Sequence, residues 1–418
     1  MPAICDVDAD NVLLRLLLTP EGRADPYPLY RELRDTAPVL RSSFGPVVLS
    51  RYEDCMTALR DPRLGRGTAL RAAGEVPSLG FAGFDIDPEQ RQAFFERAGN
   101  NMLFADPPDH TRLRRLVSRA FTPHRIDGLR PAVEAMVAAY LDDMLEVGEV
   151  DVMSALAFPL PVTVIGELVG VPATDRASFQ PLVRAGTAAL DPAADPATLH
   201  TATAAMDQMS AYFFDLVAER RRAPKGDLLS GLVAAREAGD ALSDDEVVAT
   251  AILLFAAGFE TTTNLIGNGL LALLNHPDEL DRWRNDPSLA HSAVEELLRW
   301  DSPVQLNMRT ALEPAEVAGE PLARGETVVV LQGGANRDPG RFDQPESFDV
   351  GRLDNAPISF GWGIHHCLGA ALARMEGEVV FNALLGRCGT IERRGDEPEW
   401  RPTLTLRGLA ALPVSVTA

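Results

Sequence analysis

Between residues 243 and 277 the chain reads SDDEVVATAILLFAAGFETTTNLIGNGLLALLNHP, and this stretch constrains the fold more than any other. Ser243 and Glu246 have the spacing of a capping box and Pro277 closes the run, which predicts one uninterrupted helix. At 1.5 Å per residue it reaches roughly 50 Å, enough to cross a whole domain. Its first half is apolar on nearly every side, so it belongs at the centre with other elements packed around it. The middle breaks that rule: Gly258, Glu260, Thr261, Thr262, Thr263 and Asn264 stand where core packing wants none of them. Two readings are open. Threonines bonding to carbonyls one turn earlier would bend a buried helix. Alternatively, the helix widens at Ala257 and Gly258 and offers a cavity an acid beside a hydroxyl, the pairing a proton relay needs.

Helical periodicity dominates the remainder, and strands are confined to short pieces. Residues 38 to 52 read as a hairpin with its turn near Phe44 and Gly45, leading into a helix. Residues 316 to 332 form a second strand region, and most segments from 105 to 300 are helices broken by proline or glycine. The fold class is therefore mostly α with minor β. A length of 418 residues taken alone favours two or three domains, yet no repeat, linker or shift in composition marks a boundary. The formal charge of −21 makes nucleic acid and anionic membranes poor partners. Four scattered cysteines without a C-x-x-C pair give neither a disulfide framework nor zinc-finger spacing, which fits a reducing compartment. The first residues lack a positively charged leader, and no apolar run was expected to reach membrane length. A cytoplasmic setting is expected.

Two further polar clusters stand out. In DPPDHTRLRRLVSRAFTP, residues 106 to 123, His110 and Arg114 fall at i and i+4 on one helical face. Arg112, Arg115 and Arg119 form a second stripe. The first pair is either solvated or turned inward toward a buried anion, leaving the second stripe to face outward. In VEELLRWDSPVQLNMRTA, residues 294 to 311, Arg299 can pair with Glu295 or with Glu296, and helix geometry does not choose between them.

The segment ISFGWGIHHCLGAALARME, residues 358 to 376, holds the chemistry. A lone buried cysteine is ordinarily an inert small hydrophobe. Around Cys367, however, Gly361, Gly363 and Gly369 let the backbone turn tightly and approach something large and flat. The helical run that follows would favour a thiolate through its N-terminal partial charge. A loop-held thiolate suits a metal's axial ligand or a nucleophile.

The spacing F-G-x-G-x-H-x-C-x-G resembles the haem-ligand loop of the cytochrome P-450 superfamily, the haem–thiolate monooxygenases, in its soluble bacterial class. The resemblance covers nearly the whole chain and implies a single triangular, helix-rich domain over residues 1–418. It implies haem b with Cys367 as axial ligand, and Phe360, Gly361 and Gly369 against the cofactor. AAGFETT resembles the oxygen-activation segment, with Ala257 and Gly258 opening the groove and Glu260 and Thr261 as the acid–alcohol pair. DPPDHTRLRR is similar to the haem-clamping helix, so that His110 and Arg114, with Arg309 and His365, would hold the propionates. Glu296 and Arg299 resemble the E-x-x-R pair, completed by Arg352 from ESFDVGRL; ANRDP, residues 335 to 339, is equally characteristic. His366 is expected to face solvent or pack locally.

The same resemblance implies a pocket lined by residues 66–104 and 178–222, by Leu254 and Ala257, by Val304, Leu306 and Asn307, and by Thr405 and Leu406. Asn307 would be its polar anchor. The expected substrate is a hydrophobic terpenoid, steroid, fatty acid or polyketide, oxidised with O2. Hydroxylation is the expected reaction; epoxidation, demethylation and phenolic coupling share its machinery. Electrons would come from a ferredoxin and its reductase, docking near Arg112, Arg115 and Arg119, onto a monomer. Competing readings are a peroxide-driven peroxygenase, which would not need Glu260 and Thr261, and a haem-binding sensor without turnover.

Overall fold

The computed structural model describes residues 7–68, 70, 101–118, 121, 123–237, 240–395 and 397–418. Eleven of its helices position the site: α1 (Val7–Leu18), α2 (Tyr27–Thr36), α3 (Tyr52–Arg60), α4 (Asp109–Ser118), α5 (Pro123–Val147), α6 (Pro159–Val169), α7 (Phe179–Ala188), α8 (Pro196–Arg222), α9 (Asp244–Asn275), α10 (Ala290–Trp300) and α11 (Ala370–Arg387). α9 is the axis. Its 32 residues span about 48 Å, and Ser243 and Glu246 close a reciprocal capping box at its start. One flank packs against α10 and α11 around Leu265, Leu270 and Phe381, with α5 packed behind α11. The other packs against α6, α7 and α8 around Val247, Phe255 and Phe259. By length and apolarity α9 could cross a membrane, contrary to the expectation that no run would. Its apolar surface is covered by protein instead.

The expected hairpin forms, with β1 (Val39–Arg41) antiparallel to β2 (Val47–Leu49) and Gly45 at φ 115° in the turn. α3 follows directly. β2 then pairs in parallel with β5 (Thr327–Val330), which continues to β4 (Asn307–Ala311) and β3 (Leu64–Gly65) in the order β1-β2-β5-β4-β3. The expected second strand region holds three short strands, because Gly319 and Gly325, both at positive φ, turn the chain twice. A last two-stranded piece, β6 (Glu399–Trp400) and β7 (Leu409–Ala411), brackets a loop that returns to the middle of α9.

The E-x-x-R segment anchors the irregular chain around the cysteine loop. Arg299 donates to both oxygens of Glu296, each at 2.7 Å, and both side chains are fully buried. The same guanidinium donates to the carbonyls of Asn336, Pro345 and Ser347 at 2.8 to 3.2 Å. Arg352 reaches Glu296 at 3.2 Å. Glu295 turns the other way and pairs with Arg374 of α11. Arg337 of the ANRDP segment lies between the rings of Tyr27 and Trp300, 3.7 Å from each centroid. Its neighbour Asn336 bonds Ser359 Oγ and the Ile358 N–H, each at 2.8 Å. The loop bearing Cys367 therefore starts from a fixed base.

Candidate active site

A cavity of about 430 Å3 runs between α9, the α7–α8 pair, the strip after α10 and the loop before α11. Gly361 and Gly363 sit at φ 65° and 71°, and a Cβ on Gly363 would lie 2.4 Å from the Leu59 carbonyl. Only glycine fits that turn. The turn closes with Cys367 N–H donating to the Phe360 carbonyl at 2.9 Å. Cys367 has accessible surface, yet the surface faces the cavity inside the protein. α11 begins only at Ala370, with Gly369 as its cap, so Cys367 precedes the helix and misses its first turn. Burial pushes its thiol up, and the Gly369 N–H, Arg114 and Arg374 offset this only in part. The help from the helix terminus is therefore smaller than expected, and a bound metal's charge would favour the thiolate. His366 is half-buried and packs locally against Phe360 and Trp362.

Beside the cysteine loop the structure gathers five basic side chains. His110 from α4 and His365 from the cysteine loop stack with centroids 4.4 Å apart. Arg114 follows on α4, and Arg309 comes from β4. Arg66, which follows β3, joins them; nothing in its sequence context had singled it out. Burial lowers His110, and it lowers His365 to far below the imidazole range with Arg66 and Arg309 adding to the effect. Burial also holds Arg309 well below its usual value. Among the described residues neither ring nitrogen of His110 nor Nε2 of His365 has a hydrogen-bond partner. Buried donors crowded at this cost fit a bound dianion. Asn307 takes a further part: its Oδ1 accepts from Arg309 at 2.6 Å and from Arg66 at 3.1 Å. It orients two cations while also bordering the cavity.

On the opposite wall α9 stays regular through residues 257 to 262, so the expected widening at Ala257 and Gly258 does not occur. Thr261 Oγ1 donates to the Ala257 carbonyl at 2.9 Å and Thr262 Oγ1 to the Gly258 carbonyl at 3.2 Å. Gly258 is needed for packing, since a Cβ there would lie 2.6 Å from Ile165 of α6. Ala257, Gly258, Glu260 and Thr261 nevertheless all border the cavity. Glu260 is 2 % exposed and ion-paired with Arg401, a residue that no motif singles out. Burial raises its carboxyl, while Arg401 and Arg184 oppose that rise. The carboxyl is enclosed by protein rather than open to bulk solvent. Leu254, Val304, Leu306, Asn307, Thr405 and Leu406 all reach the cavity. α7, α8 and the turn between them roof it with Val183, Met206, Met209 and Leu190. Of the expected 66–104 region, residues 69 and 71–100 lie outside the described residues.

The arginine stripe on α4 is not uniformly outward. Arg112 pairs with Glu246, the capping-box acid of α9, and only Arg115 is exposed. Arg119 lies outside the described residues.

An exposed-to-cavity cysteine on a glycine-shaped loop, faced by buried bases on one side and an acid–alcohol wall on the other, defines a haem–thiolate oxidoreductase. The family model for Cytochrome P450 matches residues 194–414. The polyketide biosynthesis cytochrome P450 PksS of Bacillus subtilis (strain 168) is 39% identical over 416 residues, covering 96% of this chain and 99% of that protein. The cytochrome P450 monooxygenase PikC of Streptomyces venezuelae is 40% identical over 406 residues, covering 94% and 91%. Among solved structures, P450BioI in complex with a hexadec-9Z-enoic acid-ligated acyl carrier protein superposes with a TM-score of 0.86 at 35% identity, covering 95% of this chain and 99% of that one. The chain belongs to the cytochrome P450 family. It is an oxygen-incorporating oxidoreductase that uses haem b held by a cysteine thiolate, needs an external redox partner and acts on a hydrophobic molecule.

Proposed function

We propose that the whole chain forms one haem–thiolate domain that hydroxylates a largely apolar aliphatic molecule of the polyketide or fatty-acyl type. The observation that carries this reading is the pairing of a cavity-facing Cys367 with buried, unpartnered imidazole donors at His110 and His365. Cys367 supplies the thiolate. His110, Arg114, Arg309 and His365, with Arg66 as a fifth member, bind the two propionates. Phe360 and Gly361 pack beside the cofactor, and a Cβ on Gly369 would stand in open space, leaving room for a flat ring. When bound, haem supplies the chemistry that splits dioxygen with two external electrons and inserts one oxygen atom into a C–H bond.

The chain's own residues then manage protons and water. Thr261 already donates its hydroxyl hydrogen to Ala257, so its oxygen lone pairs are available to accept from water in the cavity. When the Glu260–Arg401 ion pair opens, Arg401 keeping its proton, Glu260 takes up a proton from solvent water and passes it to the water held by Thr261. The apolar wall of Leu254, Val304, Leu306 and Leu406 excludes bulk water and selects a hydrophobic substrate. PksS, and the 6-deoxyerythronolide B hydroxylase that is 40% identical to this chain, support the polyketide end of the range. Electrons arrive from a ferredoxin docking on the cysteine-loop side near Arg115, and the protein works as a cytoplasmic monomer.

The test is the visible spectrum of the purified protein, reduced and exposed to carbon monoxide. The long-wavelength Soret band of thiolate ligation is expected in the wild type and absent in Cys367→His. A wild-type spectrum of histidine-type ligation, persisting after reconstitution with haem, refutes the assignment.

A further inference from the structure

The cavity's roof and one wall are joined by a carboxylate that the mechanism does not use. Asp191 follows α7 at the corner where the chain turns toward α8, and it is 4 % exposed. Its Oδ1 accepts from the Ala193 N–H at 3.0 Å, completing a local turn that fixes the direction of the carboxylate. Oδ2 then accepts from the N–H groups of Leu404 at 2.8 Å and Thr405 at 3.4 Å. The preceding carbonyl, of Leu190, accepts from Thr405 Oγ1 at 3.2 Å.

The far side of this strip is tied to the scaffold. Gln305 N–H donates to the Thr405 carbonyl at 3.0 Å, Arg407 N–H donates to the Pro303 carbonyl at 2.9 Å, and Val304 bridges Leu406. Thr405 and Leu406 form the wall of the cavity at this corner, while Thr187 and Leu190 form its roof. The wall cannot follow the roof, so the Asp191 bonds decide how far α7 stands above it. Hydrogen bonds that backbone N–H groups donate to a carboxylate are directional and of the stronger kind.

We infer that Asp191 is a specificity-determining, positioning residue. By clamping the end of α7 to Leu404 and Thr405 it sets the largest ligand the cavity accepts at this corner. The inference rests on the cavity being the substrate site proposed above.

The test uses the haem-loaded full chain as wild type, Asp191→Ala and Asp191→Asn. Amide hydrogen exchange over residues 401–408 reports the clamp without reference to activity. Spectral titrations with imidazole, 4-phenylimidazole and clotrimazole, azoles of rising size, report the cavity. Asp191→Ala is expected to exchange the Leu404 and Thr405 amides at least about tenfold faster, to bind clotrimazole several-fold more tightly, and to leave imidazole unchanged. Asp191→Asn keeps one oxygen for the Leu404 and Thr405 N–H groups but turns its NH2 donor toward the Ala193 N–H, and is expected to fall between wild type and Asp191→Ala. Unchanged exchange in Asp191→Ala overturns the clamp, and an equal change for all three azoles overturns the role in size selection. A wild type that binds none of the azoles overturns the pocket reading and this inference with it. Should Asp191→Ala not fold, Thr405→Val, which removes only the bond to Leu190, must show the same graded order; an equal response to the three azoles there also refutes the inference.

Discussion

Glutamine in place of Glu376 is a sharp test of how this interior handles an ionisable group. Glu376 lies on α11, 1 % exposed, and its Oε2 has no hydrogen-bond partner among the described residues. Burial pushes its carboxyl from the ordinary 4.5 up to about 8. Below pH 4.5 the group is protonated in both the folded and the unfolded chain, and its burial adds no pH-dependent cost. Between 4.5 and about 8 the folded protein keeps a proton that the unfolded chain releases. Stability from this group therefore falls as pH rises, by about 1.4 kcal/mol per pH unit. The full loss is about 5 kcal/mol, reached near pH 8, and about 3 kcal/mol is already lost at pH 7. Glutamine cannot ionise and has nearly the same shape. Urea denaturation of the haem-loaded wild type and Glu376→Gln at pH 5.5, 7 and 8.5 should show the variant's advantage growing with pH. An advantage that is constant across the three pH values would refute the reasoning, because a pure packing effect does not titrate.

Three other outcomes follow from the same geometry. Arg299→Leu leaves the fully buried Glu296 without its cation and should cost about 3–5 kcal/mol, with loss of haem absorbance on mild heating; Arg374→Leu, whose pair with Glu295 is more exposed, should cost far less, and equal unfolding midpoints for the two would contradict the anchoring role. Thr261→Ala should keep substrate-induced spectral changes yet divert electrons into released hydrogen peroxide, so product formed per electron pair must fall, and unchanged coupling argues against the proton-holding role of the hydroxyl. Arg115→Glu should slow ferredoxin-driven turnover several-fold at low salt, with the deficit shrinking as salt screens the contact; a deficit independent of salt means that the docking face lies elsewhere.

What the sequence could determine by itself is what short-range physics encodes. The capping box and apolar periodicity specify α9 from residues within a few turns of one another. Glycines at positive φ shape the Cys367 loop because their constraint is local, and the Phe44–Gly45 turn sets the β1–β2 hairpin for the same reason. The long spacing around Cys367 points to the cofactor because the loop carries nearly all of that ligand chemistry in ten residues.

Only tertiary structure decided which distant charges meet. A period of 3.6 residues leaves Glu295 and Glu296 equivalent partners for Arg299, and the E-x-x-R resemblance pointed to Glu296 without a physical cause; the cause is tertiary, since the 336–355 chain and Arg352 converge on Glu296 while α11 brings Arg374 to Glu295. Asn307 gained a part as orienter of Arg66 and Arg309 because neighbouring strands β3 and β4 bring those guanidiniums to its oxygen. Arg401 lies 141 positions from the Glu260 it pairs with, and Asp191 lies 213 from the Leu404 N–H it accepts. No local pattern carries such pairings. They arise when the apolar faces of α9 and its neighbours pack, since burial then leaves each remaining polar group to find whichever partner the folded chain has brought within reach.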